Sequence, residues 1–277
     1  MIHFDEIPTS TKTITILSNI KFTDIREIFN NLNIDNFIKY VKFGTETKGE
    51  KIRKNKKKPI HFHNTITIIV QHEKLLNFKI SNNGTFQLTG CQKNKHCIEC
   101  LRYLWDNYLS IFLNRYFIFE PKLFFNIDSF QILIIPCMKN INPSVGFVIN
   151  KQKLINLIKT NEEFQKYIIY SDYIYEIYSG INIRYKIDIN KLNNLKLKKL
   201  SFFKDITIHD YILYQEYIQA YSEKERKTRF KRPKYNTFLF FYSGKFIMSG
   251  MCTYLMKDIY EELIQLLHKY KNEIIFS

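Results

Sequence analysis

A chain of 277 residues, 45% apolar and 16% aromatic, has the means to bury one large core or two small ones, which excludes a disordered polymer. Its 42 Lys and Arg against 26 Asp and Glu give a formal charge of +16, the balance of a protein that meets nucleic acid or an anionic surface. With no apolar run near the roughly 20 residues of a membrane span, no basic start or apolar stretch of a secretion signal in MIHFDEIPTSTK, and five cysteines in no paired framework, the expectation is a soluble intracellular protein without membrane contact.

In chain order, a tail over 1–10 leads into TKTITILSNIKF, read as a strand, and TDIREIFNNL, a helix opened by the capping pattern Asp24-x-x-Glu27. KGEKIRKNKKK, Lys48 to Lys58, is a charge run of the kind that forms a solvated loop. PIHFHNTITIIVQ restores alternation, with Phe62 between His61 and His63. FKISNNGTFQLTG, Phe78 to Gly90, is a hairpin around Asn83-Gly84. After it, Ile98, Leu101, Trp105, Tyr108, Leu109 and Phe112 fall at helical spacing, predicting a helix over Lys95 to Phe112. In CQKNKHCIEC, the Cys91, Cys97 and Cys100 thiols and His96 have the chemistry of a tetrahedral zinc shell. Their spacing matches no paired-knuckle pattern, and buried helix cysteines are the plainer account, so no metal or other cofactor is expected.

The second half repeats this order. FQILIIPCMKNINPSVGFVI is a strand region followed by the helical NKQKLINLI. EKERKTRFKRPK, Glu223 to Lys234, is again read as a solvated charge run before FLFFYSGKFIMSG, a second hairpin around Ser243-Gly244. Ile259, Tyr260, Leu263, Ile264 and Leu267 then mark a helix over Tyr254 to Tyr270. Pairing Gly84 with Gly244 and Gly90 with Gly250 aligns the two hairpins and their flanks, so the unit strand, helix, antiparallel strands, long helix is used twice.

YNTFLFFYSGKFIMSGMCTYLMKDIYEELIQLL resembles the second repeat of the TATA-box-binding proteins, and PIHFHNTITIIVQ…NNGTFQLTGC resembles the divergent members of that family encoded by large DNA viruses. The resemblance implies an α+β saddle: two pseudo-symmetric repeats, 11–128 and 129–277, forming one continuous curved antiparallel sheet with helices on its convex face. Segments near 35–58, with the basic insertion at 47–58, and near 186–233 lie outside it. The implied function is a transcription initiation factor, not an enzyme, that binds AT-rich double-stranded promoter DNA in the minor groove as a monomer and bends it with apolar wedges. The implied partners are a transcription factor IIB-like protein and RNA polymerase, in the host nucleus, a cytoplasmic viral factory or the virion.

Carried over residue by residue, the family's wedge phenylalanines fall on Phe62 and Ser81 in the first repeat and on Tyr178 and Phe241 in the second. Ser81 breaks the pattern, leaving one wedge at that end unless a bulge brings Phe78 round. Alternation adds Thr237, Leu239, Ile247 and Ser249 to the DNA-facing surface, with Asn77, Lys79, Gln87 and Thr89 as their more polar counterparts. The family's central asparagines map to Asn140 and to either Ser10 or Thr13. Lys54, Lys56, Lys57 and Lys58 are placed to reach flanking phosphates, and Glu176 and Ile177 occupy the factor-docking position. Three further readings stand beside this one: an enzyme, for which no Gly-rich phosphate loop, nucleophile elbow or zinc-protease helix is found; a saddle that has lost bending, favoured by Ser81 and Lys79; and an RNA-binding sheet, for which the aromatic consensus strands are lacking.

Overall fold

The computed structural model describes residues 3–50, 63–110, 117–119, 129–165, 170–174, 180–202 and 206–276. The chain divides into two compact units, one of 12–136 with 196–212, the other of 1–11, 137–195 and 213–277. One division falls inside a strand, at Pro136/Cys137.

In the first unit the chain runs through β1 (Thr9–Ser18), β2 (Ile20–Phe22), α1 (Ile25–Asn31), β3 (Ile38–Phe43), β4 (Glu46–Gly49), β5 (Thr65–Gln71), β6 (Leu75–Ser81), β7 (Phe86–Cys91), α2 (Asn94–Leu104) and β8 (Phe117–Phe119) into β9 (Phe130–Ile141). The sheet order is β1-β7-β6-β5-β3-β4, with antiparallel pairing throughout. Alternate residues Ile14 and Ile16, Ile66 and Ile68, Phe78 and Ile80, and Phe86 and Leu88 turn inward against Ile28 of α1 and Leu101 and Leu104 of α2. Asp24 caps α1 by accepting from the backbone N–H of Arg26 and Glu27.

Parts of the two segments left outside the resemblance, 35–50 and 196–202 with 206–212, contribute strands to this unit. β3 pairs with β5 with a bulge between Ile38 and Tyr40, which interrupts the alternation that would have disclosed it. Lys48, first residue of the expected loop, lies in β4, and its Nζ donates to the carbonyls of Phe29, Asn30 and Leu32 at 2.8, 2.8 and 2.9 Å, satisfying the open end of α1. From the other segment, β12 (Lys196–Phe202) pairs with Phe130–Ile134 of β9 and with β13 (Thr207–Leu213).

Asp35 ties the β3 entry to the helical layer. It accepts from Phe37 N at 2.7 Å, Ile38 N at 2.5 Å, Tyr103 Oη at 2.7 Å and Tyr108 Oη at 2.8 Å. Burial alone would raise its pKa, but these four donors outweigh it and hold the carboxylate below its ordinary value. Burial and the Asp35 contacts push Tyr103 up to about 12, so its hydroxyl stays a donor. A depressed carboxylate stabilises the fold above its unfolded pKa and ceases to as pH falls through the folded one. Asp35→Asn is therefore expected to cost about 2 kcal/mol at neutral pH, the range of charged hydrogen bonds, and to flatten the acid limb of stability followed by urea unfolding from pH 7 to 3. An unchanged acid limb would assign that limb to other groups.

In the second unit, α3 (Lys151–Thr160), β10 (Tyr170–Ile174) and β11 (Gly180–Lys186) precede β12 and β13; α4 (Tyr214–Gln219), α5 (Glu223–Arg229), β14 (Tyr235–Phe240), β15 (Phe246–Gly250) and α6 (Thr253–Lys269) follow. The strand order is β10-β11-β14-β15-β9, again antiparallel. Ile181, Ile183, Phe238, Phe240, Phe246 and Met248 pack under Tyr260, Leu263 and Leu267 of α6 and Leu154 and Ile158 of α3. The expected tail joins this core: Phe4, in a 3-10 turn, is 2% exposed and meets Tyr260 edge to face at 5.3 Å.

The run at Glu223 is a helix, α5, not a loop. Ser222 and Glu225 form a reciprocal capping box, Lys227 pairs with Glu223 at 2.6 Å, and Phe230 beyond it packs edge-on to Tyr214 and Tyr217. The cap is legible as S-x-x-E, and the charge density masked it.

Candidate nucleic-acid interface

The two hairpins share one geometry. In β6–β7, Ser81 N–H donates to Thr85 O at 2.9 Å and Gly84 N–H to Ser81 O at 3.0 Å. In β14–β15, Phe241 N–H donates to Lys245 O at 2.9 Å and Gly244 N–H to Phe241 O at 3.0 Å. Gly84 and Gly244 have φ +74° and +75°, and a Cβ on either would lie 1.7 Å from Ile20 O or 1.9 Å from Phe147 O. Left-handed backbone and close approach thus both require glycine there. The second glycines differ: Gly90 is left-handed with open space around it, whereas Gly250 is excluded from a side chain by Asn236 Oδ1 and Met256.

Register fixes which side chains stand together opposite the core. In the first unit one row runs Lys42, Thr67, Lys79, Gln87, Thr15, and the next Tyr40, Ile69, Asn77, Thr89, Thr13. All are half-buried except Thr89, which is exposed. In the second unit the rows are Asn182, Leu239, Ile247 and Arg184, Thr237, Ser249, Asn140. Thr13 pairs with Thr89, and Asn140 with Ser249. Ser10 donates its hydroxyl to Asn140 O at 3.0 Å.

At the wedge position, Phe241 is half-buried just beyond β14. Ser81 occupies the same place in the other hairpin, with its Oγ 3.4 Å from Thr65 Oγ1. Phe78 cannot substitute for it: it is fully buried, pairs regularly with Leu88 and Ile68, and packs on Phe86 at 5.8 Å, so no bulge turns it outward. Phe62, Tyr178, Lys54, Lys56, Lys57, Lys58, Glu176 and Ile177 lie outside the described residues.

Two features of these faces were not singled out from sequence. β1, β3, β5, β6, β7, β9, β11, β14 and β15 contain no Asp or Glu at all, although the chain has 26, while Lys42, Lys79, Arg184 and the exposed Lys186 stand on the open sides. Both faces therefore carry basic side chains on strands that themselves contribute no carboxylate. In addition, the side-chain oxygens of Asn77, Asn140 and Asn182 are buried without a hydrogen-bond partner, a costly state that a polar ligand group would relieve. Asn182 and Arg184 were legible as the outward residues of the alternating GINIRYK.

Cys91, Cys97 and Cys100 are fully buried free thiols, and burial raises Cys97 well above its ordinary value and pushes Cys100 up to about 12, which keeps them protonated.

No protein-family model matches the chain. Over 226 residues it is 26% identical to "Uncharacterized protein 335L" of Invertebrate iridescent virus 6, a match covering 78% of this chain and 63% of that protein, so that it spans less than two thirds of the relative's length. Among solved structures it is similar to "Methanococcus jannaschii TBP", with a TM-score of 0.50 over 95% of this chain and 99% of that one, at 13% identity. Among the described residues no helix is long and apolar enough to cross a membrane. The mostly antiparallel sheets, the helices that cover one face of each, and this structural likeness give the chain a TBP-like fold.

Proposed function

We propose that the protein binds AT-rich double-stranded DNA through the open faces of its two sheets, on the minor-groove side, and acts in viral transcription initiation within the infected cell. The observation that carries this reading is the absence of carboxylates from nine strands whose open faces hold Lys42, Lys79, Arg184 and Lys186, on a chain of net charge +16. Phosphates flank a groove whose floor offers acceptors, so the surface that meets it must be cationic at its margins and apolar or amide-bearing between them. Leu239, Ile247, Asn182 and Asn140 are such a centre. The two pseudo-symmetric repeats, their joining into one saddle, the recruitment of a factor IIB-like protein at Glu176 and Ile177, and phosphate contacts by Lys54, Lys56, Lys57 and Lys58 belong to this same proposal.

Fluorescence anisotropy on AT-rich and GC-rich duplexes of equal length, over a range of salt, tests it. The AT-rich duplex is expected to bind more tightly at every salt concentration. Lys79→Ala is expected to weaken both duplexes alike and to lower the slope of log K against log salt by about 0.9. Equal affinities that vanish together on raising salt would reduce the protein to a general polyanion binder. A second reading, a TBP-like module that binds without bending, is favoured by Ser81 at the wedge position and the burial of Phe78.

A further inference from the structure

The turn between β5 and β6, Gln71-His72-Glu73-Lys74, lies against the first turn of α2, where His96 and Glu99 are three residues apart and so on one side of the helix. Ligand atoms of His72, Glu73 and His96 all fall within 4.8 Å of one another. His96 Nε2 is 3.1 Å from Glu73 Oε2, and His72 Nε2 is 2.7 Å from Glu99 Oε2. The two imidazoles are 4.7 Å apart between ring centroids. His96 is the most telling member: it is fully buried, and neither ring nitrogen completes a hydrogen bond. An imidazole in that state has given up its water for one loosely aligned approach to Glu73, a cost that a bound ion would offset.

We propose that His72, Glu73, His96 and Glu99 bind a divalent transition metal of the zinc class, which clips the β5–β6 turn to the start of α2. Two imidazoles and a carboxylate pair suit a borderline cation, and the two negative charges neutralise it. Ligands about 2.0–2.1 Å from a tetrahedral zinc lie about 3.4 Å from each other, so the contacting pairs, at 3.1 and 2.7 Å, open and the wider separations, within 4.8 Å among His72, Glu73 and His96, close by side-chain rotation to surround an ion. One proton must move. His72 Nδ1 now accepts from Glu73 N–H at 2.7 Å, so the ring proton sits on Nε2, facing Glu99. Metal binding at Nε2 transfers that proton to Nδ1, and the Glu73 N–H turns away to solvent.

The surroundings are consistent with occupancy. Lys93 and Lys95 approach Glu73 Oε1, at 3.8 and 3.7 Å, and leave Oε2 to face His96. Glu73 and Glu99 are half-exposed, which gives an ion access from solvent, while His96 closes the inner side.

Calorimetric titration of the metal-free full chain with Zn²⁺, together with Co²⁺ absorption, tests the site. One equivalent is expected to bind with a rise in melting temperature that chelator reverses. Co²⁺ is expected to give visible bands without thiolate charge-transfer absorption. His72→Asn and Glu73→Gln, both on the surface turn, are expected to lower affinity at least tenfold while far-ultraviolet circular dichroism stays unchanged; Cys100→Ser is expected to leave it intact. Absence of uptake by the folded protein would overturn the proposal. So would uptake that survives His72→Asn and shows thiolate bands removed by Cys100→Ser, since the metal would then sit on the cysteines.

Discussion

Gly244→Ala is expected to destabilise the second unit by about 3 kcal/mol, lowering its thermal midpoint by roughly 5–10 °C. Two costs add. An L-residue in the left-handed region costs about 1–2 kcal/mol, and forcing a methyl against packed structure costs about 1–3 kcal/mol more. The second cost is unavoidable because the obstruction is backbone: the new Cβ would lie 1.9 Å from Phe147 O and 3.0 Å from its carbonyl carbon. Gly146→Ala separates the two costs, since Gly146 has φ +84° but nothing within 4 Å of its Cβ position. It should show the conformational cost alone, about 1 kcal/mol. Urea unfolding of both variants checks the difference, and equal effects would refute the close-approach argument. Gly84→Ala, 1.7 Å from Ile20 O, should match Gly244→Ala in the first unit.

The second large effect concerns the wedge. Phe241→Ala is expected to lower affinity for an AT-rich duplex about tenfold, near 1.4 kcal/mol, at the low end of what base–aromatic stacking contributes. It should also abolish the bend at the β14–β15 end, read as the change in energy transfer between end-labelled strands at fixed low salt. Phe241 is half-buried at the strand end, so its removal costs little packing and the fold should survive. Ser81→Phe makes the complementary prediction. Ser81 has the same backbone hydrogen-bond pattern as Phe241, and its hydroxyl reaches only Thr65 at 3.4 Å, so a ring there displaces one weak contact. Bending should increase. If neither substitution moved the energy transfer while binding persisted, DNA would be held without wedges, and the non-bending reading would replace the one proposed.

Much of this was legible because short-range physics wrote it into local pattern. The hairpins announced themselves as Asn83-Gly84 and Ser243-Gly244 between alternating strands, and alternation alone placed Thr237, Leu239, Ile247 and Ser249 on one face, where they lie. Asp24 likewise caps its helix as the D-x-x-E spacing indicated. Failures came where local and long-range demands diverged. Lys48 looked like the start of a solvated run because its neighbours are basic; its partners, the carbonyls of Phe29, Asn30 and Leu32, are far behind it in sequence. The bulge at Ile38–Tyr40 broke the alternation that would have revealed β3. α5 was hidden by charge although its capping box was present.

What the sequence determined by itself was therefore the inventory of turns, faces and charge, because each depends on residues within a few positions of one another. Tertiary structure alone decided three matters. It seated Phe78 wholly in the core, since strand register, and not composition, chooses which of two adjacent aromatic or polar residues turns outward. It set Thr13 beside Thr89 and Asn140 beside Ser249, because cross-strand neighbours are set by pairing across some 75 to 110 residues. And it brought His72 and Glu73 to His96 and Glu99, a cluster invisible in a chain where two dozen residues separate the pairs, and assembled only when a hairpin turn packs against a helix.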